Sequence, residues 1–280
     1  MPHFRPTLLL ALGAAALSVA GCSGDDDPTN PAQPPLAALR YVNALPDTFD
    51  VDIRMIDQVK WNATANKLPF RGATEYFPTE AKTRRIRVFP QPGPDPVTGA
   101  NPDVVSQILL DTTVVFEAGK RYTLILTGSA RANTERFVLI DDDVADPGAT
   151  DIGIRAVNAG VTGNIDAYLL ATATTAPSGT PSFGAVAPFT ASASQTRTAG
   201  AVAARATTSG STTVLASAAA PAGAAGTTTI NPLAGATVPG TALAAYVFPA
   251  SVAGSKAASF AAPGVVWFVD RMPPLTAVTP

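Results

Sequence analysis

The side chains able to do chemistry in this 280-residue chain are almost all carboxylates, guanidiniums and hydroxyls. Its one histidine, His3, and its one cysteine, Cys22, both sit near the start. The rest of the chain can therefore build no Ser-His-Asp or Cys-His nucleophile, no zinc, haem or iron–sulfur site resting on those ligands, and no disulfide. Paired carboxylates for acid/base work and oxygen ligands for calcium remain. Asp50 and Asp52 stand two apart, which on a strand places both on one face. A glycosidase needs a second carboxylate at a defined separation, and no such partner is legible, so Asp52 is expected to cap or pair locally. Asp141, Asp142, Asp143, Asp146 and Asp151 crowd one stretch, but no D-x-D-x-D-G loop orders them. A solvated acidic hinge is the preferred reading there, with calcium as the alternative. Arg84, Arg85 and Arg87 form the strongest basic cluster. They read as charges guarding an edge strand, ahead of a contact with anionic glycan or lipid headgroups. Asn62-Ala63-Thr64 matches a glycosylation sequon, a weak pattern. Tyr41, Trp61, Tyr76 and Phe77 would make either a ligand-binding patch or, at alternating positions, core; core is expected. No catalytic residue, no metal ligand and no cofactor is assigned.

Cys22 closes a different pattern. An n-region with Arg5 precedes an apolar stretch from Leu8 to Ala20, the length of a secretory h-region and too short to span a bilayer. Leu17-Ser18-Val19-Ala20-Gly21-Cys22 then resembles the lipobox of bacterial lipoproteins. The resemblance implies cleavage before Cys22, lipid attachment at Cys22, and a chain held to the membrane by its new N-terminus. Ser23 through Pro35 is Asp-, Pro-, Asn- and Gln-containing and too poor in apolar residues to pack, so it reads as a solvated tether. Ser23 after the cysteine resembles the pattern sorted to the outer membrane in a Gram-negative host.

The chain carries 19 basic and 21 acidic residues, and loss of Arg5 with the signal and of Asp25, Asp26 and Asp27 with the tether leaves eighteen of each. That balance excludes a nucleic-acid footprint. Charge is unevenly spread: 151–280 holds only five basic and three acidic residues and is Ala-, Thr-, Ser- and Gly-rich instead.

The chain also repeats itself. Leu39-Arg40-Tyr41-Val42-Asn43-Ala44 matches Ile154-Arg155-Ala156-Val157-Asn158-Ala159, and Arg136–Asp141 is aligned with Val265–Asp270, each an apolar run closed by aspartate. A period of about 115 residues is domain-sized, which predicts two tandem domains rather than a solenoid. Hydrophobic alternation has period two, as in Arg85-Ile86-Arg87-Val88 and Tyr122–Thr127. It predicts seven strands in the first copy, beginning near Leu39, Asp50, Ala73, Thr83, Ser106, Arg121 and Glu135. The fold class expected is all-β: two tandem immunoglobulin-like antiparallel β-sandwich domains. In the second copy Ala199–Ala206 and Ala216–Ala225 have helical propensity, but Thr, Ser, Gly and Pro interrupt them, so strands with long loops and a loosely packed middle are expected. Val214, Leu215, Leu243, Tyr246, Phe248 and Trp267 would supply that core. A membrane span over Leu233–Ala253 is excluded by Gly235, Pro239, Gly240 and Pro249. The organisation expected is signal 1–21, tether 22–36, sandwich 37–143, linker 144–151, degenerate second sandwich 152–273 and tail 274–280.

Arg40-Tyr41-Val42-Asn43-Ala44-Leu45-Pro46-Asp47, then Val51-Asp52-Ile53, then Phe116-Glu117-Ala118-Gly119-Lys120-Arg121-Tyr122-Thr123-Leu124 resemble domain-of-unknown-function family 4397 of bacterial surface and secreted proteins. Asn43 stands where that family often has histidine, and the second copy lacks the Leu45-Pro46-Asp47 equivalent. The resemblance implies a β-sandwich and an envelope location, and no established activity. The function expected is a non-enzymatic, lipid-anchored cell-envelope protein, a structural or interaction module for protein or glycan, with no nucleic-acid partner. The alternative is a carboxylate-dependent glycan-processing enzyme of the envelope.

Overall fold

A computed structural model describes residues 33–48, 50–57, 66–91, 107–255 and 258–275. Among them are fifteen strands, one 3-10 turn at Ala258–Phe260 and no α-helix. The first seven strands are β1 (Leu36–Asn43), β2 (Val51–Met55), β3 (Phe77–Glu80), β4 (Thr83–Pro90), β5 (Leu110–Val115), β6 (Arg121–Thr127) and β7 (Arg136–Asp141). All seven expected strands are present. The two that start late, β3 and β5, are those whose expected beginnings fell beside turn formers. The other eight are β8 (Asp151–Asn158), β9 (Ile165–Leu170), β10 (Phe183–Val186), β11 (Gln195–Thr198), β12 (Ala203–Thr208), β13 (Val214–Ala219), β14 (Ala242–Phe248) and β15 (Gly264–Arg271).

These strands make four sheets. The first sandwich sets an inner sheet, β3-β1-β6-β7, against an outer sheet, β2-β4-β5; the second sets β11-β8-β14-β15 against β10-β9-β12-β13. Pairing is antiparallel except at β1–β6 and β8–β14, which run parallel in matching places. Side-chain direction explains the layering. On β1, Leu39 and Tyr41 enter the first sandwich's core with Ile53, Ile86 and Leu124. Val42 points the other way and joins Ile125, Ile140, Val157, Tyr246 and Phe248 in a further core between the two inner sheets. A strand buried on both faces reads as a continuous apolar run, whereas β5, with one wet face, alternates strictly. The layers therefore run outer, inner, inner, outer, and Pro35–Pro280 is one compact unit.

The Ala-rich stretches form β12 and β13, and Ala203, Ala204 and Ala206 are fully buried. Small side chains thus fill the middle of the second sandwich with Ala206, Val202 and Phe183. Leu243, Tyr246 and Phe248 are core residues, while Val214, Leu215 and Trp267 are half-buried. No helix of the described residues is long and apolar enough to cross a membrane.

Strand register corrects one detail of the repeat. Arg40 pairs with Thr123, which pairs with Ile140; Arg155 pairs with Ala244, which pairs with Phe268. Ile140 thus corresponds to Phe268, and Asp142, not Asp141, to Asp270. A one-residue slip turns every side chain to the other face, and a bulge between Ala242 and Leu243 hides the shift in the sequence.

Candidate functional site

Two arginines interrupt the apolar runs of β1 and β8, and the fold brings them together. Arg40 and Arg155 occupy equivalent positions on the facing inner sheets, and both are almost fully buried. Between them lie Asp142, just past β7, and Asp270, near the end of β15, at 0% and 1% exposure. Arg40 donates from Nη2 to Asp270 Oδ1 at 2.8 Å, and Arg155 from Nε to Asp270 Oδ2 at 2.7 Å. Arg155 also pairs with Asp142 Oδ1, and Arg40 approaches its other oxygen at 3.8 Å. Two positive and two negative groups thus form a closed, neutral set across the joint.

Each buried side-chain nitrogen and oxygen of this set has a hydrogen-bond partner, as burial demands. Thr123 donates to Asp142 and accepts from Arg40 Nε at 3.0 Å; Tyr76 donates to Asp142 Oδ2 at 2.9 Å. Arg40 also reaches Tyr246 Oη and the Val269 carbonyl, each at 3.1 Å, and Arg121 donates to the Asp270 carbonyl. The Arg40 guanidinium lies 4.6 Å from the Tyr76 ring centroid and 5.4 Å from that of Phe268, within reach of cation–π attraction. Burial works against the charge on Arg40, but Tyr246, Asp270, Tyr76 and Asp142 outweigh it and raise its pKa. Burial pushes the Tyr246 phenol up to about 12. Each acid is engaged by a guanidinium and each guanidinium by an acid, so the set ties the two inner sheets together.

The far end of the interface is closed by other groups. Arg71 donates to the Pro249 carbonyl at 2.7 Å and to that of Ala262, with its guanidinium 4.8 Å from the Phe260 ring centroid. The Val252 N–H donates to Pro46 O at 2.9 Å. Residues 249–255 and 258–262, between β14 and β15, so clasp the turns that follow β1. The turns themselves are organised by one buried asparagine in each copy. Asn43 donates to Leu68 O and accepts from Leu45 N–H, both at 3.0 Å; Asn158 donates to Gly163 O at 3.0 Å and accepts from Val161 N–H at 2.8 Å.

The residues singled out in the sequence fall apart in space. Of the acidic stretch, Asp142 is buried in the joint rather than solvated in a hinge. Asp141 and Asp143 face Lys120 at 3.5 and 3.7 Å, and Asp146 pairs with Arg271 at 2.7 Å. Among the described residues no group of three or more His, Cys, Asp or Glu gathers to hold a metal. Asp52 accepts from Lys67 N–H and from Arg54, each at 2.8 Å, and Asp50, whose pKa burial raises, lies outside β2. The arginine cluster is not on an edge: β4 is the central strand of its sheet. Alternation splits the cluster, turning Arg84 inward beside Asp57 and Glu80 while Arg85 and Arg87 converge on Asp111 from outside. Hydrogen bonds from Arg85 and Arg87 hold the Asp111 carboxyl down to about 2. Tyr41 is core, 5.4 Å from the Phe77 ring centroid, and so contributes to no surface patch. Cys22, Trp61 and Asn62-Ala63-Thr64 lie outside the described residues.

Tyr76 has a second duty beside its bond to Asp142. It forms a wall between the joint and a shallow cleft of about 400 Å³, which Leu36, Phe77, Pro78, Lys120 and Arg121 also line and to which no carboxylate contributes. The joint was missed as a site because its four charges are scattered over the chain. The available signal was an arginine at the same place in both copies of an otherwise apolar strand.

Residues 37–168 match the family model described as "Domain of unknown function (DUF4397)". The class of protein defined here is thus a pair of β-sandwiches resembling that domain family, with the match reaching from β1 into β9. The family-like residues serve the joint and its borders: Gly119 turns the chain at φ +75° into β6, Lys120 faces Asp141, and Thr123 holds Asp142. No curated protein matches the chain. Among solved structures, the chain is similar to a leucine-rich repeat protein from Bacteroides thetaiotaomicron VPI-5482. That likeness has 11% identity and a TM-score of 0.17 and covers 67% of this chain and 24% of the other. At that score it carries no argument.

Proposed function

We propose that this protein is a lipid-anchored, non-enzymatic component of the cell envelope, in which the sandwich pair serves as a fixed spacer and interaction module for an envelope protein or glycan. One observation carries the reading: the two sandwiches share a core and a closed set of buried charges, so the unit transmits position rather than hinging. Buried ion pairs fix geometry at a cost in desolvation, an arrangement suited to holding shape. Asp142 and Asp270, both fully buried, are committed to Arg155 and Arg40, which supports a structural role over acid/base catalysis. Cys22 supplies the anchor through its resemblance to a lipobox.

The anchor is tested by Cys22→Ser, which should abolish lipid labelling and leave the precursor unprocessed; unchanged labelling would refute it. The activity is tested by a pull-down from envelope extract with the soluble Ser23–Pro280 fragment. Retention of a specific protein or glycan without turnover is expected, and hydrolysis of the retained glycan would sink the non-enzymatic reading.

A further inference from the structure

One end of the sandwich pair collects apolar side chains that the fold leaves uncovered. The chain enters β1 at that end, where Gly119 N–H donates to Leu36 O and Ala81 N–H to Pro35 O, each at 2.8 Å. β8 begins at the same end, since Arg121 at the start of β6 reaches Asp270 near the close of β15. The opposite end is the one closed by Arg71 on Pro249 and by Val252 on Pro46. Of the exposed large apolar residues, Leu36, Val115, Ile230, Leu233, Met272 and Leu275 all belong to the entry end.

Ile230 and Leu233, 66% and 64% exposed, cap a built projection. Residues 222–235 form a small hairpin with a bridge between Ala224 and Leu233 and a turn closed by Thr227 N–H on Ile230 O at 2.8 Å. Its base is pinned beside the start of β8, because Ala236 O accepts from Gly200 N–H, just past β11, and Ala236 N–H donates to Pro221 O. Gly223, at φ +79°, and Gly235 pass so closely there that a Cβ on either would strike the other's backbone. The whole stretch 206–255 contains no Asp, Glu, Lys, Arg or His. An aliphatic tip on an uncharged stem avoids the cost of carrying a charge out of water.

We infer that this is the membrane-facing end: Ile230 and Leu233, with Met272 and Leu275 at the same end, enter the headgroup–acyl boundary of the bilayer that holds Cys22. The inference rests on the lipid-anchor reading above. Fourteen residues separate Cys22 from Leu36, a reach of at most about 50 Å when fully extended. The anchor therefore presents this end to the bilayer at a higher effective concentration than the other. A few aliphatic side chains suffice as a second membrane contact when the first is covalent lipid.

Acylation consumes the only thiol, so one introduced cysteine is a unique labelling site. Ile230→Cys, Leu233→Cys and, at the opposite end, Val252→Cys are each labelled with an environment-sensitive fluorophore in the full lipidated chain. The chain is reconstituted in phosphatidylethanolamine/phosphatidylglycerol vesicles. Probes at 230 and 233 should shift to the blue, lose quenching by aqueous iodide and gain quenching by spin-labelled lipid, while the probe at 252 keeps its aqueous signal. Ile230→Asp in the Leu233→Cys background should restore the aqueous signal at 233. A chain that floats with the vesicles while both hairpin probes stay aqueous, or dry only on adding envelope protein, overturns the inference and leaves the anchor intact. A chain that carries no lipid and does not float overturns both.

Discussion

Arg40, Arg155, Asp142 and Asp270 balance only as a set. Removing one leaves a buried, uncompensated charge, so Asp270→Ala should cost about 3–5 kcal/mol, read by urea denaturation. In an Arg40→Met, Asp270→Ala cycle, the double variant should lose less than the sum of the singles, because each single strands the other's partner. Additive losses would mean that the pair is not coupled. A different pair of acids governs the response to acid. Asp47 and Asp166 pay for partial burial, but Asp47 accepts from Ser129 Oγ and from the Ala130 and Arg131 N–H groups, and Asp166 from Ala185 N–H, Gly210 N–H and Ser209 Oγ. The net effect lowers both carboxyls below their usual range. A lowered native pKa contributes stability that is complete above the unfolded value, about 3.9, and lost as pH falls through the native one. The unfolding free energy should therefore decline below about pH 4, with a shallower acid limb in Asp166→Asn. An unchanged limb in that variant would exclude Asp166 from the effect.

Strands were legible where one face meets water. The alternation of β4 and β5 is plain in Arg85-Ile86-Arg87-Val88 and in the pattern of half-buried and exposed residues along Leu110–Val115. β1, β6, β8 and β14 are covered on both faces, so the alternation read over Tyr122–Thr127 marks no wet face, and the repeat reveals only β1 and β8 as equivalents. The same double covering explains what stayed hidden. The alternation of Arg85-Ile86-Arg87-Val88 places Arg84 on the face of Ile86 and Val88, but nothing in a local window shows that β4 is central. The joint needed residues from β1, β6, β8 and β15, more than a hundred positions apart for most pairs, and no local pattern links them. The asparagines that end β1 and β8 were visible as matched positions but not as turn organisers. Asn158→Ala leaves the Gly163 carbonyl and the Gly160 and Val161 N–H groups without their side-chain partner. We expect a loss of about 1–3 kcal/mol, seen as a lower thermal midpoint, with Asn158→Asp recovering only the two N–H contacts.

The two sandwiches behave as one body because their inner sheets share apolar surface at one level and charge at another. Residues 148–150 of the connecting segment are exposed, so limited proteolysis should nick there. The nicked halves should nevertheless co-elute in gel filtration, held by Val42, Ile125, Val157, Tyr246 and Phe248; separation on nicking would contradict a shared core. A further consequence is mechanical. The ladder of β1 with β6 runs parallel over Ala38–Asn43, flanked on the other side by β3, and its hydrogen bonds lie across the strand axis. A pull on Leu36 along that axis, resisted at the far end of the molecule, loads both ladders in shear, so their bonds must fail together. Tension between Leu36 and Leu275, both at the entry end, instead peels β15 from β14 one bond at a time. In single-molecule force spectroscopy, handles at the N-terminus and at residue 252 should require the larger rupture force, a directional toughness aligned with the tether.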